Sequence, residues 1–124
     1  MKLIEVINAR EAVKRHSHDK VPFRIAYKFA SFIKATETQN SFYNDKFKEI
    51  IEQHGKKDAD GNYIQNRNGI VLMEGHENEC KAQLSELHDT EVDMPDITFD
   101  LNDFDGMEVT TEEIIALGNF IKEN

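Results

Sequence analysis

Phe29, Thr36, Tyr43 and Ile50 stand seven residues apart, and Ile33, Asn40, Phe47 and His54 repeat that interval from four residues further on. Such spacing lines side chains along one face of an α-helix, so the stretch is constrained to be helical and to lie against something. Three of the eight positions are polar and the pattern lasts fewer than four repeats, which predicts packing on one partner helix rather than a free-standing coiled coil. Pro22 suits the first helical turn, where its missing N–H has no partner to lose. Gly55 is expected to close the helix as a C-cap glycine. A single helix from Pro22 to His54 would be about 50 Å long at 1.5 Å per residue.

The partners are read from the rest of the chain. Residues 2–17 place Leu3, Val6, Ile7, Ala9, Ala12 and Val13 at mixed three- and four-residue intervals, the pattern of an amphipathic helix. Residues 74–89 put Cys80, Leu84 and Leu87 on one stripe, a helix thin in apolar content that needs the long helix to cover it. These two are expected to run antiparallel. Between them, Asp60-Gly61 and Asn68-Gly69 are turn dipeptides around the β-forming runs Tyr63-Ile64 and Ile70-Val71-Leu72, which predicts a small hairpin at the tip of the pair. The segment "TEVDMPDITFDLNDFDG" alternates apolar and acidic residues and is read as extended chain with one apolar face, interrupted by Pro95. Thr110 and Glu113 form a capping box ahead of a short closing helix bearing Ile114, Ile115, Leu117, Phe120 and Ile121. The fold class expected is mainly α.

At 124 residues the chain reads as one domain, 1–124, with a basic helical part at 1–54, the hairpin at 55–73 and an acidic part at 74–124. Charge divides it further. Residues 1–57 carry twelve Lys/Arg against seven Asp/Glu, whereas residues 58–124 carry three against seventeen, so +5 faces −14. Ten carboxylates and no Lys or Arg lie between Asp89 and Glu113. Such a stretch repels a phosphate backbone, which argues against direct nucleic-acid binding. No apolar run approaches the roughly 18 residues of a membrane span, and Glu5 and Asn8 interrupt any signal-like core near the amino terminus. A cytoplasmic location is expected. Cys80, alone, suits a reducing compartment and reads as a small buried apolar residue.

Several constellations bear on chemistry. With Gly61 as the sixth residue of a calcium loop, Asp58 and Asp60 occupy ligand positions three and five, but Lys56 and Arg67 fall at positions one and twelve. Turns explain the stretch better. His76 and Cys80 share a helix face, and His16 and His18 share a loop, yet no three or four ligands fall at a recognised metal spacing. The late carboxylates lack the Lys, Arg or glycine-rich cradle that a magnesium phosphoryl-transfer site needs. No serine sits in a nucleophile-elbow motif. Neither a catalytic residue nor a cofactor or metal ligand is expected. The acids Asp93, Asp96, Asp100, Asp103 and Asp105 are the candidate partner-binding residues, for a basic protein, with intramolecular neutralisation by the early basic helices as the competing reading.

The stretches "VPFRIAYKFASFIKA", "YNDKFKEIIEQHGKKDADGNYI", "LSELHDTEVDMPDI" and "EVTTEEIIALGNFIKEN" together resemble a family of short uncharacterised proteins from tailed phages and prophages. The resemblance spans nearly all of residues 20–124 and rests on diffuse patterns. The histidine-rich loop at 16–18 and the weakly apolar third helix depart from it. It implies a phage accessory role, in virion assembly or against host defence, inside the bacterial cytoplasm, and carries no catalytic residues. The expected function is therefore non-catalytic protein binding. An acidic inhibitor that imitates nucleic acid to block a host enzyme is the alternative, and a metal-dependent hydrolase the third. Asn40 within the heptad seam also allows a homo-oligomer paired through that seam.

Overall fold

A computed structural model describes residues 1–122 of the chain. It is mainly helical, with α1 (Leu3–Arg15), α2 (Phe23–Ala35), α3 (Glu37–His54), α4 (Glu77–His88) and α5 (Thr111–Leu117). Strands β1 (Gln65–Asn66) and β2 (Gly69–Ile70) form an antiparallel hairpin, and β3 (Phe99–Asp100) pairs in parallel with β4 (Ile121–Lys122). Two 3-10 turns, Leu101–Phe104 and Gly118–Phe120, complete the order.

The amino-terminal helix is the centre. Its apolar residues recur on more than one side, so α1 buries two faces at once. Val6, Ala9, Ala12 and Val13 enter the main core with Ile25, Phe29 and Phe32 of α2 and with Phe99, Phe104, Leu117 and Phe120 from the acidic part. Phe32 packs edge-on against Phe120 at 5.0 Å between ring centroids, and Phe29 meets Phe99 in the same manner at 5.7 Å. Leu3 and Ile7 form a second cluster with Leu87, against which Tyr43 and Ile50 of α3 pack. The expected seam is thus used within the molecule: Phe29 and Thr36 are buried, and Tyr43 and Ile50 lie half-buried on this cluster.

The long helix is broken where continuity was expected. Thr36, at φ −99° and ψ 6°, separates α2 from α3. Its hydroxyl donates back to the Phe32 carbonyl at 2.8 Å, a bond that competes with regular helix geometry and bends it. Buried Arg10 reaches from α1 to donate to the Ile33 carbonyl and, at 3.0 Å, to the Thr36 hydroxyl oxygen. Seven-residue spacing registers which face is apolar but not whether the axis is straight, and a cation at the carbonyl end of α2 favours termination there.

Contacts between α3 and α4 run in opposite sequence order: Tyr43 stacks on His88, whereas His54 meets His76 and Gln83. His54 is buried; its Nε2–H donates to Gln83 Oε1 at 2.6 Å, and its Nδ1 shares a hydrogen bond with His76 Nδ1 at 2.9 Å. Gly55 ends α3 in extended rather than left-handed conformation, φ −72°. Space, not backbone sign, selects glycine there. A Cβ would stand 2.7 Å from the Ile51 carbonyl oxygen and 2.8 Å from the Tyr63 ring. Asp58 accepts N–H bonds from Asp60 and Asn62, so the sequence that resembled part of a calcium loop closes a turn around Gly61.

The acidic extended segment is shorter in regular structure than its alternation predicts. Only Phe99–Asp100 forms a strand, Phe99 points into the core, and the chain then turns at Leu101, leaving that side chain exposed. The capping box is present: Thr110 Oγ1 accepts from Glu113 N, and Glu113 Oε1 accepts from Thr110 N, each at 3.1 Å.

Candidate functional site

The five candidate aspartates separate into two groups. Asp93, Asp96 and Asp105 are exposed and form no ion pair with a described residue. Asp103 is fully buried, which corrects its expected availability to a partner. Lys28 donates to its Oδ2 at 2.7 Å and Arg24 to its Oδ1 at 3.0 Å, while Oδ2 also accepts the Asp100 N–H at 2.9 Å. Burial alone would raise the Asp103 carboxyl, but these bonds from Lys28, the Asp100 backbone and Arg24 outweigh it and hold the group below its ordinary range. Asp100, half-buried, lies 3.5 Å from Lys28. The basic helix thus neutralises part of the acidic segment inside the molecule.

A second polar centre lies in the histidine-rich loop. Buried His16 faces Asp19 through Nδ1 and Glu113 through Nε2, joining the end of α1 to the first turn of α5. Burial opposes the imidazolium, yet the hydrogen bonds to Asp19 and Glu113 prevail and raise the His16 pKa. Glu113 responds in the opposite sense: its burial penalty is outweighed by the Thr110 backbone and His16, which lower its pKa. Both ring nitrogens of His16 are engaged by carboxylates, and His16 and Asp19 also line a polar depression of about 380 Å³ with Arg15, Lys20 and Glu108. Cys80 is buried and free, and burial pushes its thiol pKa up.

One of the exposed acids, Asp93, adjoins an opening. A groove of about 650 Å³ runs between α3 and residues 90–93, floored by Met1, Leu3, Phe42 and Val92 and edged by Glu91 and Asp93. Through Phe42 and Thr90 it continues into a second depression of about 310 Å³, where Ile50 and Leu87 lie beneath Lys46, Glu49 and Glu86. The amino terminus holds one wall: its ammonium donates to Glu91 at 2.9 Å, and Val92 N donates to the Met1 carbonyl at 2.8 Å. Lys2 and Asp89 pair at 3.3 Å beside it.

Of the candidate residues only Asp93 lines this groove. Phe42, its largest apolar side chain, escaped the sequence reading because it lies on neither heptad stripe. That displacement was itself a signal, since a large aromatic off the packing seam has no assigned place in the core. Among the described residues, no group of three or more His, Cys, Asp or Glu is placed to hold a metal ion, and no helix is long and apolar enough to cross a membrane. No family model, curated protein or solved structure matches the chain.

Proposed function

We propose that this protein works without catalysis, by binding another protein, in the phage-type accessory role that the resemblance implies for the bacterial cytoplasm. The observation that carries the reading is the groove itself, with an apolar floor around Phe42 and carboxylates of Glu91 and Asp93 at its edge. An apolar anchor buried on the floor supplies affinity, and Lys or Arg beside that anchor meets the acidic edge, which orients and accelerates the encounter. The partner is therefore a protein segment with one or two large apolar side chains flanked by basic residues. In this reading α3 and α4 act as a long antiparallel pair with the β1–β2 hairpin at its tip, and the groove follows the side of that pair.

Imitation of a nucleic-acid backbone is the weaker alternative, because Lys28 and Arg24 already neutralise Asp103 and an apolar floor serves no purpose in such mimicry. A panel of short peptides bearing Leu or Phe flanked by Lys or Arg, titrated by fluorescence anisotropy at low and high salt, tests the proposal. Binding that weakens with salt, falls at least tenfold in Phe42→Glu and falls severalfold in Asp93→Lys is the expected result. Binding indifferent to both substitutions, or no binding at low salt, refutes it.

A further inference from the structure

The chain around Glu91 is extended, and one of its two edges is already in use. Leu3 N donates to the Thr90 carbonyl and Val92 N donates to the Met1 carbonyl, each at 2.8 Å, so Lys2 and Glu91 face one another as an antiparallel bridge. In a bridge of this pattern the N–H and C=O of the facing pair point outward, away from the partner strand. Glu91 therefore presents both groups on the outer edge, and neither has a backbone partner among the described residues. Two residues on, the N–H and C=O of Asp93 also lack a backbone partner. Pro95, the next residue in step, has no N–H to offer, so the free run ends there.

We propose that the segment bound at the groove is an added β-strand, which exchanges backbone hydrogen bonds with Glu91 and Asp93 and carries basic and apolar side chains in alternation. The inference rests on the protein-binding function proposed for the groove and fixes the conformation of the partner. Main-chain bonds to a free edge supply affinity, and alternate side chains supply specificity. Thr90, Glu91, Val92 and Asp93 all line the groove, so the edge borders its apolar floor. Facing residues of paired strands place their side chains together, which sets Lys or Arg opposite exposed Glu91 and Asp93. The residues one step out of phase then fall on the face of Val92, where Phe42 and Leu3 receive apolar groups. Charge selects against a second copy of the chain on this edge, because Glu91 and Asp93 would face carboxylates of their own kind. A helix fits no better. Its backbone donors are spent internally, leaving the Glu91 carbonyl and N–H unmet.

Two fluorescein-labelled peptides of one composition test this against the full chain by anisotropy at low salt. Lys-Val-Lys-Phe-Lys-Val-Lys is apolar at every second position, and Lys-Val-Lys-Lys-Phe-Val-Lys is apolar at helical spacing. The alternating peptide is expected to bind about tenfold more tightly or better. N-methylation of its alternate amides should matter in one phase only, weakening binding by about tenfold where the methyl replaces an edge-facing N–H. Amide exchange followed by NMR should slow at Glu91 and Asp93 on binding and stay unchanged at Val92, whose N–H is already bonded. Equal affinity of the two peptides, or tolerance of both methylation phases without slowed exchange at Glu91 and Asp93, overturns the strand pairing. If Phe42→Glu still abolishes such binding, the protein-binding role of the groove stands without it. Binding of neither peptide overturns both.

Discussion

Lys28 donates to Asp103 at 2.7 Å, and Asp103 has no solvent-exposed surface. With Arg24 on the other oxygen, this contact fastens the acidic segment to α2 and positions Phe104 beside Phe29. Asp103→Ala should therefore destabilise the protein by about 2–4 kcal/mol, since it strands the Asp100 N–H and half-buried Lys28 without their acceptor. Asp96→Ala, at an exposed position, should change stability by less than about 0.5 kcal/mol. Urea denaturation of the two variants checks both values.

The pH dependence has opposite signs at the two ends of the His16–Glu113 bond. His16 has a raised pKa, so its contribution is complete below its ordinary value of 6.5 and is lost as pH rises through the raised folded value. Glu113 and Asp103 have lowered pKa values; their contributions are present above the ordinary values of 4.5 and 3.8 and disappear as pH falls through the lower folded ones. Stability measured by urea between pH 4 and 9 should therefore be greatest between roughly pH 5 and 6.5 and decline on the alkaline side. In His16→Gln the decline that begins above pH 6.5 should vanish, leaving the loss at higher pH from the Met1 ammonium, whose pKa its hydrogen bond to Glu91 raises.

Arg10 is buried and spends its charge on the carbonyl end of α2 rather than on a carboxylate. Removing a charged donor from such carbonyls costs about 1.5–3 kcal/mol. Arg10→Met, similar in length and apolar, should lose about that amount, with the lowest protection against amide exchange at residues 33–37. Equal stability of variant and wild type would show that the guanidinium does not hold the Thr36 break.

Two glycines should respond in opposite directions to alanine. Gly55→Ala drives a methyl group into the Ile51 carbonyl and the Tyr63 ring, and should cost about 1–3 kcal/mol. Gly118 has helical angles, φ −53° and ψ −38°, with nothing within 4 Å of an added Cβ. Gly118→Ala should stabilise by about 0.4–1 kcal/mol by restricting the unfolded chain. Thermal melts of both variants provide the comparison.

Local interactions made much of this molecule legible. The apolar intervals of α1 and α4, the Asp-Gly and Asn-Gly turns and the Thr110–Glu113 box all depend on residues within a few positions of one another, and each element stands close to its expected place. Seven-residue spacing likewise identified Phe29, Thr36, Tyr43 and Ile50 as one inward stripe of α2 and α3, but on the second stripe Phe47 is exposed. The break at Thr36 depended on Arg10, twenty-six residues earlier, and no periodicity within the helix records a guanidinium arriving from another helix. The acids divide for the same reason: Asp96 and Asp103 are alike as letters in an acidic run, and only the approach of Lys28 and Arg24 across the fold makes one buried and leaves the other in water. The groove is tertiary altogether, because its floor brings Met1 and Leu3 from one end of the chain against Phe42 and Val92. Sequence determined which surfaces are apolar or charged, through side-chain chemistry and helical period. Long-range contact decided which of those surfaces remain uncovered.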